Sequence, residues 1–168
     1  MTSPRKSRDY TRQHPKDERA YGERNEDPYQ SRGKYPEPSV CIGCGAVFHK
    51  GRWQWGMAPE SAHKHLCPAC QRIHDRVPAG ILTVSGAFFN EHGQEILNLI
   101  HNAEAKERAE HPLQRIMRIE GQNAGIVVSF TDMHLARGVG EGLHHAYQGE
   151  LDYQYTDKEG VLRVQWTR

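Results

Sequence analysis

Apolar residues are absent from the start of the chain and dense after it. Residues 1–39 contain no Val, Ile, Leu, Phe or Trp; their apolar members are Met1, Ala20 and the tyrosines Tyr10, Tyr21, Tyr29 and Tyr35. With mixed charge and Pro4, Pro15, Pro28, Pro36 and Pro38, this stretch has too little to bury to offset its ordering entropy. The pattern predicts a disordered, charged tail over 1–39. A tail of this kind can fold onto a partner, its Arg and Tyr residues meeting phosphates or bases.

From residue 80 the periodicity is regular. Ile81–Ser85 is a β-type run. Asn90 can cap a helix that carries Ile96, Leu97, Ile100 and Ala103 on one face, and His111-Pro112 stops it. Leu113–Glu120 alternates, Gly121–Gly125 is a turn cluster, and Ile126–Phe130 is β-branched, which together predict a hairpin. Asp132 can cap a second helix with Leu135, Val139, Leu143, Ala146 and Tyr147 inward, and Gly149 ends it. Leu151, Tyr153 and Tyr155 alternate with polar residues in a half-exposed strand, and Val161–Trp166 returns as an edge strand. The order β-α-β-β-α-β with an extra C-terminal strand predicts an α+β, ferredoxin-like domain over 80–168. Its helices would lie on one face of the sheet and leave the other free. Such a fold names no function.

The mean hydropathy of −0.82 is polar for a globular chain, and the deficit falls mainly on the tail. The formal net charge of +1 lacks the strong positive excess of an avid nucleic-acid binder. The charged N-terminus has no apolar run of a secretory signal, and no stretch has the roughly 20 apolar residues of a membrane span. A cytoplasmic protein is expected, where four cysteines point to metal or redox chemistry rather than disulfides.

Residues 40–79 hold all four cysteines, as Cys41-x-x-Cys44, twenty-two residues, then Cys67-x-x-Cys70. Each pair puts two sulfurs on one side of a tight turn, and two facing turns complete a tetrahedron around Zn²⁺. The spacing predicts a four-cysteine zinc module, either ribbon or treble clef, closed and therefore structural. Gly43 and Gly45 permit tight backbone in the first pair, and Pro68 stiffens the second. The pairs also resemble rubredoxin knuckles, which makes iron the alternative ion, although Gln71 stands where rubredoxins carry glycine. Cys67-Pro-Ala-Cys70 resembles a thioredoxin-like site too, but Pro78 cuts short the long helix that such a site needs. His49, His63, His65 and His74 lie nearby and are not needed as ligands.

Phe48–Trp55 interleaves basic and aromatic side chains. Lys50 and Arg52 are candidates for phosphate contacts and Trp53 and Trp55 for stacking on bases; the competing reading is that a tryptophan covers the module's core. Gly138-Val-Gly-Glu-Gly142 lies inside a helical pattern, not at a strand-to-helix turn, so close helix packing explains it better than phosphate binding. No nucleophile, base and oxyanion donor are arranged together, and neither an enzyme nor a small-molecule substrate is expected.

Cys41-Ile-Gly-Cys44-Gly, then Cys67-Pro-Ala-Cys70 and a β-α-β-β-α-β unit, resembles bacterial relatives of nonsense-mediated-decay protein three. Phe130-Thr-Asp-Met-His-Leu-Ala-Arg-Gly-Val-Gly-Glu-Gly-Leu and Tyr147-Gln-Gly-Glu-Leu add to the resemblance, which spans residues 41–168 loosely. It implies zinc knuckles joined to a compact α+β unit, metal-ligand roles for the four cysteines, and a partner in the ribosome or another structured RNA. The familiar larger members carry more cysteine pairs than the two present here. A protein partner is the alternative expectation.

Overall fold

A computed structural model describes residues 28–29 and 35–168. Most of the expected tail lies outside the described residues. Its boundary moves, however: Ser39 opens the first strand and Tyr35 packs on Phe48 and Trp53, both at 5.2 Å between ring centroids. Tyrosine supplies most of the large apolar side chains in this stretch, and Tyr35 joins the core of the cysteine part.

The cysteine-bearing part is a four-stranded sheet and a helix. Its strands are β1 (Ser39–Cys41), β2 (Val47–His49), β3 (Arg52–Gln54) and β4 (His63–His65), in the order β3-β2-β1-β4 with β4 parallel to β1. Helix α1 (Pro68–Asp75) follows. Lys50 and Gly51, with φ of 52° and 76°, make the left-handed two-residue turn that suits a β2–β3 hairpin. Both their backbone N–H groups donate to the Glu37 carboxylate at 2.9 Å.

The second part contains β5 (Gly80–Ser85), α2 (Ala87–Glu110), β6 (Ile116–Gln122), β7 (Gly125–Phe130), α3 (Met133–Tyr147), β8 (Glu150–Thr156) and β9 (Val161–Thr167). The sheet order is β6-β7-β5-β9-β8, with β9 parallel to β5 and the other pairs antiparallel. The expected element order is present, but β9 is not an edge strand. It lies between β5 and β8, and β8 takes the edge. Burial agrees, since Leu162, Val164 and Trp166 are buried while β8 alternates between half-buried and exposed residues.

Leu82 and Val84, Val128 and Phe130, and Val164 and Trp166 form one core with Ile96 and Ile100 of α2 and Leu135, Val139 and Leu143 of α3. Each fully buried large side chain contributes roughly 1.5–3 kcal/mol relative to exposure. Asp132 caps α3 as expected, accepting from Leu135 N at 3.0 Å. Ala146 is exposed rather than inward. Of the three glycines in this helix only Gly140 sits tightly on the sheet: a Cβ there would lie 2.6 Å from Val164 Cγ1.

Helix α2 begins at Ala87, earlier than Asn90. Gly86 caps it with φ of 109°, and a Cβ there would clash with the Arg168 carbonyl. The helix is kinked at His92, where the ring stacks on Phe88 at 4.2 Å. Among the described residues no helix is long and apolar enough to cross a membrane.

The two parts meet directly. Leu113, ahead of β6, packs against the core of the cysteine part. Trp55 Nε1 donates to the Arg108 carbonyl in the last turn of α2 at 2.6 Å.

Candidate metal centre

The first cysteine pair spans the end of β1, where Cys41 is the last residue, and the turn after it, which carries Cys44. Cys41 N donates to Ala46 O at 2.8 Å and Gly45 N to Cys41 O at 2.9 Å, which closes the turn, with Gly45 at φ of 79°. Gly43 has no room for a side chain, because a Cβ would lie 2.8 Å from Cys70 Sγ. The second pair sits on the start of α1. Cys67 is its N-cap residue, Pro68 occupies the first helical turn without needing a donor, and Cys70 N points at Cys67 Sγ at 3.4 Å. Strand β4, running parallel to β1, carries the second pair to the first: Ile42 N donates to His65 O at 2.9 Å.

All four sulfurs lie within 4.8 Å of one another, and those of Cys44 and Cys67 are 3.8 Å apart. A tetrahedral ion with metal–sulfur bonds of about 2.3 Å requires sulfur–sulfur edges of about 3.8 Å. The four thiols are free, with Cys41 and Cys67 buried and Cys44 and Cys70 half-buried. The cluster can hold a metal ion.

The surroundings fit thiolates. Backbone N–H groups act as donors to the sulfurs: Cys67 N lies 3.2 Å from Cys41 Sγ. Burial pushes the Cys67 thiol well above its ordinary pKa, reinforced by the sulfurs of Cys44, Cys41 and Cys70 against the Cys70 N–H. Burial likewise raises Cys44, against the Ala46 N–H and with Cys41 adding to the rise. At Cys41 burial acts upward too, but the N–H groups of Cys67, Cys44 and Gly43 and the Cys44 side chain outweigh it and bring the thiol down to about 7. An ion binding here displaces the protons that burial retains.

Arg115 carries no signal in the sequence that marks it for this site. It is 6% exposed, and its Nη2 lies 3.1 Å from Cys70 Sγ and 3.6 Å from Cys67 Sγ. Among the described residues no ion pair joins it to an aspartate or glutamate, and its Nε has no hydrogen-bond partner. A buried unpaired cation costs about 3–5 kcal/mol, so this guanidinium requires negative charge beside it, and the sulfurs are what it faces. Burial acts to lower its pKa; the sulfurs of Cys70, Cys67 and Cys44 more than compensate and hold it above the ordinary value. The donor set and this buried cation together fit a four-thiolate metal centre.

The other candidates scatter. Trp53 is 9% exposed and packs on Phe48 and Tyr35, so it is a core residue and cannot stack on a base. This is the competing reading of that loop, realised because the small sheet needs an aromatic to close its core. Trp55 is 38% exposed and tied to α2. Lys50 and Arg52 are exposed. His49 and Arg52 face each other across the β2–β3 pair. Strand register puts Val40, Val47, Gln54 and Lys64 on the same face as those two, opposite Phe48 and Trp53. His63 and His74 are exposed, and the His65 ring lies edge-on to Tyr35 at 5.9 Å. None of these histidines joins the sulfur cluster.

No family model, curated protein or solved structure matches this chain.

Proposed function

We propose that this chain is a non-enzymatic zinc protein whose four-thiolate centre is structural, and that its cysteine module binds structured RNA, the ribosome included. The observation that carries the zinc reading is the convergence of Cys41, Cys44, Cys67 and Cys70 within 4.8 Å beside the buried Arg115. The knuckle, the hairpin and then a helix bearing the second pair favour a treble clef over a ribbon. Four sulfurs leave no open coordination position, which favours a structural ion over a catalytic one. The second unit is read as a ferredoxin-like variant with β9 inserted beside β5.

Charge distribution supports the RNA half. Residues 40–79 carry five Lys/Arg against two Asp/Glu, whereas 80–168 carry eight against twelve. Positive charge is therefore concentrated on the module, with Arg52 and Lys64 on its outer sheet face and Lys50 at the hairpin tip. Phosphate contacts would come from these three. Base stacking by Trp53 is excluded by its burial.

A second reading is a protein–protein adaptor using the acidic α+β unit. The sheet face opposite the helices supports it, offering Ile81, Thr83, Val127, Ser129, Arg163 and Gln165 in adjacent register. Gradient sedimentation of tagged protein separates the two readings. Co-migration with ribosomal particles or RNA that weakens steeply with salt supports RNA binding. Absence from every such fraction, with a nuclease-resistant and salt-insensitive protein partner, supports the adaptor and removes the RNA proposal.

A further inference from the structure

The sulfurs and the guanidinium that faces them come from different parts of the chain. Arg115 belongs to the segment leading into β6, forty-five residues beyond Cys70. That segment is clamped from behind by Thr131. Arg115 N donates to Thr131 Oγ1 at 2.9 Å, Thr131 N donates to Arg115 O at 2.9 Å, and Thr131 Oγ1 donates to Leu113 O at 2.6 Å. The side chain is therefore presented to the cluster from a fixed backbone.

A guanidinium stays protonated in proteins, so its charge does not depend on the state of the sulfurs. Four thiolates around a divalent ion carry a net charge of about −2, and around a trivalent ion about −1. A fixed buried cation against the sulfurs favours the more negative centre, because burial of Arg115 weakens solvent screening of its charge. The unpaired Nε and the lack of a carboxylate partner show that no other anion claims this charge among the described residues.

We infer that Arg115 is the built-in counter-ion of the cysteine cluster and biases the site toward divalent over trivalent ions. This rests on the metal-centre reading above. It also makes the ion a fastener between the two parts, since the sulfurs lie on 40–79 and the cation on 80–168.

The test uses the full-length protein, wild type and Arg115→Lys and Arg115→Gln, each loaded separately with zinc and with iron. Chelator competition reads zinc affinity, and voltammetry reads the ferric/ferrous midpoint. Arg115→Gln is expected to weaken zinc binding by about tenfold to a hundredfold, as loss of a group that supports metal ligands does. Its iron midpoint is expected below that of wild type, because the ferrous centre loses more stabilisation than the ferric one. Arg115→Lys keeps the charge, so its midpoint should lie closer to wild type than to Arg115→Gln. An unchanged midpoint in Arg115→Gln overturns the inference even if zinc affinity falls, since packing would then account for the loss. Should Arg115→Gln not accumulate as folded protein, Thr131→Val carries the test. It loosens the clamp and leaves guanidinium and sulfurs intact. A smaller downward shift is expected, and no shift overturns the inference. Wild-type protein that takes up neither ion removes the metal-centre reading itself.

Discussion

The indole of Trp55 donates its N–H to the carbonyl of Arg108 at 2.6 Å, joining the loop after the β2–β3 hairpin to the last turn of α2. The last carbonyls of a helix lack intrahelical donors, so this bond satisfies one of them. The cysteine module is thus held to the α+β unit at a second point, apart from the contact of Arg115 with the sulfurs.

Replacing Trp55 should loosen that contact without touching the sulfurs. Trp55→Phe keeps a ring and removes the donor, and the net loss for one hydrogen bond is about 1 kcal/mol. Hydrogen exchange should show faster opening at the C-terminal turn of α2 and in residues 55–62, with zinc stoichiometry unchanged. Unaltered exchange in both segments would show that the bond does not hold the loop.

Two glycine substitutions should separate the metal centre from the α+β core. Gly43→Ala puts a Cβ 2.8 Å from Cys70 Sγ and should lower metal affinity. Gly140→Ala puts one 2.6 Å from Val164 Cγ1 and 3.2 Å from Leu151 Cδ1. Overpacking of that kind costs about 1–3 kcal/mol. Gly140→Ala should therefore lower the denaturation midpoint while chelator competition gives the wild-type metal affinity. Equal effects of the two variants on metal affinity would contradict this placement of the glycines.

Metal affinity should rise with pH. Burial holds Cys67 and Cys44 protonated in the metal-free protein at neutral pH, and each must lose its proton to bind an ion. With Cys41 titrating near 7, part of a third proton is released as well. Raised thiol pKa values favour the protonated, metal-free form, so binding is lost as pH falls and gained as it rises. Apparent affinity should climb by about a hundredfold or more per pH unit below neutrality. Competition titrations between about pH 6 and 7 check the slope, and a slope near zero would mean that the thiols are not the ligands.

Much of this is legible in the sequence because the signals are local. The cysteine spacing marks its own chemistry, and Asp132 announces a helix whose Leu135, Val139 and Leu143 repeat at helical period. Position within a sheet is not local. Val161–Trp166 reads as a strand from its own residues, but its seat beside β5 is set by pairing across roughly eighty residues. Asn90 is a good capping residue and predicts a late start for α2, whereas Gly86 is required there by the close approach of the Arg168 carbonyl. Trp53 sits in a run that suits nucleic-acid contact and a small core equally well, and only the sheet shows which face it takes. Arg115 carries no usable signal: it lies between Leu113 and Met117 in an alternating run, and its partners are forty-five and forty-eight residues away.

The most direct test of the account is metal content together with zinc-edge X-ray absorption on freshly purified full-length protein. One equivalent of zinc with four sulfur neighbours at about 2.3 Å is the expected result. That signature should be lost in Cys41→Ser and Cys67→Ser. Protein that stays folded and metal-free in strong chelator, or a zinc shell containing histidine nitrogen, would contradict it.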